Sequence, residues 1–219
     1  MNAPRPHVPV EPSEPHEPSE PVEPAELWRR VCVVDEWLAV SGDLCTDLGD
    51  DAALAQLRAW QDAGITHILD VREEWNDRDF VAAHAPDLAY TWLGTHDDGG
   101  AQSDEWYDAG LAVARRVRGE GGRLLVHCHM GVNRAPSMAL RLLLDDGSEP
   151  IAAIERIRDA RPIAAVAYAE SALGHHHRTI GSSTEEAVQA RRALNEWMLS
   201  NRVDTHWVIS RIRLAERGG

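Results

Sequence analysis

Lysine is missing altogether: all twenty-two basic residues of the 219-residue chain are arginines, and thirty-six acidic ones leave a net charge of −14. Phosphate backbones are held by basic surface in quantity, so this balance argues against nucleic-acid binding and confines any phosphate site to a local pocket. Cysteine is scarce too. Cys32, Cys45 and Cys128 form no paired framework, which speaks against a disulfide-stapled secreted domain and for a reducing, cytoplasmic setting. No apolar stretch is long enough to cross a bilayer and no charged start leads into one, so neither membrane insertion nor export is expected. His175-His176-His177 has no Cys or carboxylate at ligand spacing, and successive helical residues cannot all face one ion. No metal and no other cofactor is expected.

What is present centres on eleven residues, His127 to Ser137, HCHMGVNRAPS. Leu124-Leu125-Val126 precedes them, and Met138-Ala139-Leu140 with Leu142-Leu143-Leu144 follows, the pattern of a buried strand, a tight loop and a buried helix. Five residues between Cys128 and Arg134 let the backbone curl into a bowl of inward N–H groups, closed by the N-terminus of the helix. Such a bowl fits a tetrahedral dianion. Gly131 supplies the backbone freedom for the curl, and Arg134 offers a planar fork to two phosphate oxygens, which a lysine could not. Amide dipoles, helix end and guanidinium all favour a thiolate, so the Cys128 pKa is expected to fall from about 8.5 to roughly 3.5–7.5. With Gly131 and Val132, the residues His129 and Met130 are expected to meet substrate at the rim, and Asn133 to brace the loop.

HCHMGVNRAPS resembles the H-C-x5-R signature of the cysteine-dependent protein phosphatases, and the compact chain around it resembles their dual-specificity branch. GITHILDVRE at 64–73 and Arg161-Pro162-Ile163 followed by Tyr168 are similar to further blocks of that family, so the resemblance covers about residues 35 to 174. It implies hydrolysis of phosphomonoesters through a phosphocysteine intermediate. The implied substrate is a phosphorylated protein or peptide, phosphotyrosine first and then phosphoserine or phosphothreonine, because HMGVN lacks the added basic residue that a polyphosphorylated inositol would call for. Expelling an alkoxide or phenoxide needs a proton. In the family it comes from an Asp some thirty residues before the Cys, on a loop after a strand and about ten residues before an aromatic pair. Asp97 meets that description: it follows a strand candidate at 89–93, stands thirty-one residues before Cys128, and Trp106-Tyr107 come nine and ten residues later. Asp98 is the alternative, and Asp97-Asp98-Gly99-Gly100 also has the composition of a plain turn.

By the same resemblance His127 supports the loop and helps lower the pKa of the thiol. Ala135 departs from the pattern. The family usually has Ser or Thr there, whose hydroxyl stabilises the thiolate when water cleaves the phosphocysteine; the nearest hydroxyl here is on Ser137. Slow hydrolysis of the intermediate is expected.

Along the chain, proline at 9, 12, 15, 18, 21 and 24 with Glu or Ser between has the three-residue period of polyproline II, so residues 1–26 read as a disordered acidic tail. A phosphatase-like domain at 27–174 and a helical extension at 175–219 follow. Within the domain, strand candidates at 31–34, 37–40, 65–71, 89–93 and 123–127 alternate with helical patterns, one capped by Asp50 or Asp51 and one by Asp104. This alternation predicts an α/β fold, a mostly parallel central sheet of four or five strands flanked by helices, with the bowl at a strand's carboxyl end. In the extension Ser183 and Glu186 form a capping box ahead of an apolar face carrying Leu194, Trp197 and Met198. Helices at 183–214 are expected either to pack on the domain or to mediate self-association.

Two rivals carry different chemistry. Asp70-Val71-Arg72-Glu73, with a loop cysteine ending in an Arg-bearing curl, is compatible with a rhodanese-like sulfurtransferase. Ala135 is compatible with a module that binds phosphate without turnover.

Overall fold

Leu124 to His127 is a short apolar run of the kind buried on both faces of a sheet. The structure, a computed structural model that describes residues 23–218, puts it at the sheet's centre. The strands are β1 (Cys32–Asp35), β2 (Leu38–Ser41), β3 (His67–Arg72), β4 (Ala89–Thr95) and β5 (Leu124–His127), in the spatial order β1-β2-β5-β3-β4. Only the β1–β2 pair is antiparallel. The register sets Ser41 and Asp70 on either side of His127. Whatever follows β5 therefore leaves from the carboxyl edge of three parallel strands, where open α/β sheets bind ligands.

The helices are α1 (Pro24–Leu27), α2 (Asp50–Asp62), α3 (Arg78–His84), α4 (Asp104–Gly119), α5 (Arg134–Asp145), α6 (Pro150–Ala160), α7 (Ala169–Ile180), α8 (Thr184–Ser200) and α9 (Thr205–Gly218). Side chains of β5 alternate between two cores. Leu124 and Val126 join Met138, Leu140, Leu143 and Ile154 on one face, while Leu125 joins Ala53, Leu57, Trp60 and Val81 on the other. Helix α5 is buried almost all round, as its apolar pattern requires. A third, smaller cluster gathers Leu27, Trp28, Val132, Ile163, Val208 and Ile212, so α1 and α9 close over the loop that follows β5.

Several expectations shift. Gly49, not an aspartate, occupies the N-cap of α2, and Asp50 and Asp51 fall in its first turn, where they complement the positive end of the helix. Ser103 rather than Asp104 caps α4: its backbone is extended and its hydroxyl accepts from the Trp106 amide at 3.2 Å. The expected tail lies outside the described residues up to 22, but Pro24 to Leu27 form a helical turn, with Pro24 at a first-turn position where its missing N–H costs nothing and Leu27 buried. Helix α7 runs through residue 175, so the boundary expected between 174 and 175 falls inside a helix, which the left-handed backbone of Gly181 ends. The Ser183–Glu186 capping box forms, and Leu194, Trp197 and Met198 pack against the main core.

Candidate active site

The loop 128–133 leaves β5 and enters α5 at Arg134. Its carbonyls from 129 to 132 find partners outside the bowl. His129 O accepts from the Asp43 amide (2.9 Å) and Trp28 Nε1 (3.0 Å), and Val132 O from the amides of Ala165 and Val166. Met130 O and Gly131 O accept from the guanidinium of Arg161 at 3.0 and 2.7 Å. A curl whose carbonyls point out turns its N–H groups in, and the amides of Gly131 and Ala135 hydrogen-bond the Cys128 sulfur. Gly131 is required twice over: φ is +63°, and a Cβ would run into Arg161 Nη2 and lie 2.6 Å from Ser41 O.

Cys128 lies at the floor of a cavity of about 300 Å³ lined also by Glu74, Asp97, His129, Met130, Val132, Asn133, Arg134, Ile209 and Arg213. Glu74 grips the Arg134 guanidinium with two parallel hydrogen bonds of 2.8 Å, to Nη1 and Nη2. The remaining edge of the guanidinium, with Nε buried and lacking a hydrogen-bond partner among the described residues, faces Asp97 Oδ2 at 3.6 Å. Asp97 is held over the cavity by Tyr168, whose hydroxyl donates at 2.7 Å, and by Asn133 Nδ2 at 3.5 Å. Asp98 instead accepts from the Gly100 amide within its own turn. Of the two aspartates only Asp97 lines the cavity.

No family model matches the chain. In sequence it is similar to Dual specificity protein phosphatase 1 of Arabidopsis thaliana, 25% identical over 118 residues, which make up 53% of this chain and 57% of that protein. It is also similar to Dual specificity protein phosphatase 26 of Bos taurus, 29% identical over 119 residues, 53% of this chain and 56% of that one. The chain thus spans little more than half the length of the curated relatives it matches. Among solved structures it is similar to human DUSP28, with a TM-score of 0.56 at 18% identity, covering 74% of this chain and 99% of that one. PTPMT1 is comparable, with a TM-score of 0.56 at 18% identity, covering 69% and 97%. This is the fold of the dual-specificity phosphatases. Human DUSP28, covered almost whole, accounts for 74% of this chain.

Two expectations need correcting. The Cys128 thiol is pushed above its ordinary value, because burial opposes ionisation more strongly than Arg134 and the Ala135 and Gly131 amides favour it, and Asp97 adds to the opposition. The sequence argument counted the dipoles and the guanidinium but not the two carboxylates, Glu74 and Asp97, that already offset the guanidinium. His127 is wholly buried against Trp60, and burial pulls its pKa down to about 4, so its neutral ring lends the thiolate no charge. Ser137 does not stand in for a hydroxyl at 135: its oxygen accepts from the Tyr168 amide at 3.1 Å. Ala135 contributes its backbone alone.

The rival motif is consumed by the framework of this phosphatase fold. Asp70 accepts from Arg72 Nε and Nη2 at 3.0 and 2.8 Å, and Arg72, fully buried, also pairs with Asp77. Sequence reasoning missed Glu74 and the α9 residues Ile209 and Arg213. Glu74 had a signal, since it lies just past a strand that neighbours β5 and hence at the same sheet edge; Ile209 and Arg213 had none, being seventy-five residues or more from the loop.

Proposed function

We propose that the chain is a cysteine-dependent phosphatase that hydrolyses phosphomonoesters on proteins, phosphotyrosine first and phosphoserine or phosphothreonine after it. The observation that carries this reading is the buried, unpartnered Nε of Arg134 over a cavity floored by Cys128. A buried donor without a partner is costly, and a phosphate oxygen supplies what it lacks. Glu74 fixes the guanidinium from behind and leaves that edge to the ligand. The names of the sequence relatives, dual specificity protein phosphatases, support the substrate class.

In this reading Cys128, a neutral thiol at rest, first gives its proton to solvent; the thiolate so formed attacks phosphorus as the bond from phosphorus to the ester oxygen breaks, and Asp97 gives that oxygen its proton. The amides of the bowl and Arg134 hold the equatorial oxygens, whose charge grows in the transition state. Water then attacks the phosphocysteine, Asp97 takes the proton, and the sulfur leaves as thiolate with inorganic phosphate released. With no hydroxyl at position 135 to stabilise that leaving sulfur, the second step limits turnover.

The test is hydrolysis of p-nitrophenyl phosphate and a phosphotyrosine peptide by the parent, Cys128→Ser and Asp97→Asn proteins. The expected result is turnover by the parent, none by Cys128→Ser, and a burst of nitrophenol ahead of a slower steady state. Persulfide formation from thiosulfate without phosphate release would replace this reading with the sulfurtransferase one.

A further inference from the structure

Helix α9, the last helix of the described residues, supplies one wall of the cavity above Cys128. Val208 and Ile212 bury against Trp28 and Val132, and this fixes which face of the helix is presented to the mouth. His206, Ile209, Arg213 and Arg217 recur at helical spacing on that face. Ile209 and Arg213 line both the Cys128 cavity and a second groove of about 470 Å³ formed with His206, Ser210, Leu214 and Arg217. The phosphate pocket thus opens directly into a groove bearing two arginines.

Their charge is uncommitted. Among the described residues neither Arg213 nor Arg217 has a carboxylate within 4.0 Å, whereas Arg211 on the other side of the helix is paired with Glu23 at 2.7 Å. In a chain of net charge −14 this is a marked local reversal. The other side of the mouth holds paired charges. His129 hydrogen-bonds Glu216 at 2.9 Å, and beyond that bridge lies a cavity lined by Asp43, Asp47, Glu216 and Arg29, whose guanidinium pairs with both aspartates. Among the described residues the Asp43 side offers a cation already committed to carboxylates, and the Arg213 side offers uncommitted ones, so a substrate with negative charge beside its phosphoryl group is attracted on the Arg213 side. The groove is also larger than the cavity itself and carries apolar surface from Ile209 and Leu214, which suits an extended chain more than a second phosphate on a compact ring.

Resting on the phosphatase reading and extending it, we propose that Arg213 and Arg217 form a subsite for acidic residues flanking the phosphorylated side chain of a peptide substrate. The residues set specificity: they touch the substrate's flank and not the reacting atoms.

The test uses the full chain and two phosphotyrosine peptides identical except that flanking Glu residues in one are Gln in the other. The parent is expected to favour the Glu peptide by about tenfold in kcat/KM, mainly through KM, with the preference shrinking at high salt. In the Arg213→Glu/Arg217→Glu protein the preference is expected to vanish or invert, and Arg213→Lys/Arg217→Lys should restore most of it. Equal kcat/KM for the two peptides, with p-nitrophenyl phosphate still turned over by the parent, would overturn the subsite and leave the phosphatase reading standing. So would a preference that survives the double charge reversal, or a reversal that impairs only a soluble inositol polyphosphate. No turnover of any phosphate ester by the parent would sink the underlying reading instead.

Discussion

Two buried arginines stand on opposite sides of one loop, and they are neutralised in opposite ways. Arg161 lies behind it, with no carboxylate partner among the described residues: its N–H groups go to the carbonyls of Gly131, Leu27, Arg30, Trp28 and Met130, and burial pulls its pKa down. Arg134 lies in front. Burial works against its charge as well, but the hydrogen bonds and charge of Glu74, with Cys128 and Asp97 nearby, hold its pKa above the ordinary arginine value. The contrast separates building from binding. A guanidinium that shapes backbone spends its donors on fixed dipoles, whereas one that must meet a ligand is oriented along one edge and left open along the other.

The sharpest way to test that division is to change each in turn. Arg134→Lys keeps the charge but loses the fork, so hydrolysis of p-nitrophenyl phosphate should fall by about 10²–10³-fold while the urea unfolding midpoint barely moves. Activity within a few-fold of the parent would mean that charge alone suffices and the free edge is unimportant. Arg161→Met should do the reverse. It strands several carbonyls in a buried place, and the expected loss is about 3–5 kcal/mol of unfolding free energy by urea titration. A cost under about 1 kcal/mol would show that the loop holds its curl without the guanidinium.

Gly131 lies at the seam between the two. Gly131→Ala must accept a positive φ and bring a Cβ against Arg161 Nη2 and the Ser41 carbonyl. A loss of roughly 2 kcal/mol is expected from the backbone and the contacts together. Combined with Arg161→Met, the cost should be less than the sum of the two single changes, since one of the clashing groups is gone. Strict additivity would place the cost on the positive φ and Ser41 O, with no share from Arg161.

The same contrast explains what could be read from residues alone. The strand, curl and helix around Cys128 were legible because they are local: apolar runs set β5 and α5, and the interval from Cys128 to Arg134 set the bowl. Asp97 was reached through its spacing from Cys128 and from Trp106-Tyr107. Arg161 was noticed as part of an R-P pair, but its grip on Met130 and Gly131 was invisible, since it depends on α6 ending beneath the loop. Glu74 is one acid in a run of acids until the β3–β5 register brings it beside Arg134. The thiol's direction was misjudged for the same reason, because burial and two distant carboxylates are tertiary facts. The caps at 49 and 103 moved by one residue because Gly49 and Ser103, not the neighbouring aspartates, hold the non-helical backbone at the turn.

The smallest change, Glu74→Gln, probes whether the oriented edge of Arg134 governs the sulfur. Burial pushes the Glu74 carboxyl up, the hydrogen bonds from Arg134 and its charge together pull it down more strongly, and it ends below the usual carboxylate range, so it is ionised at neutral pH. Removing that charge leaves more of the guanidinium's field for Cys128, and the thiol's pKa should move down. Alkylation by iodoacetamide followed across pH reads this directly. In the parent, reactivity should rise only above the ordinary thiol value of about 8.5, and in the variant the rise should begin earlier. The linkage has a matching sign: a thiol whose folded pKa exceeds its unfolded one contributes stability that is complete at neutral pH and is lost as pH climbs through the folded value. Glu74→Gln should bring that alkaline loss to lower pH. An unshifted alkylation profile would mean that Asp97 and burial alone hold the proton on Cys128, and that Glu74 orients Arg134 without setting its charge.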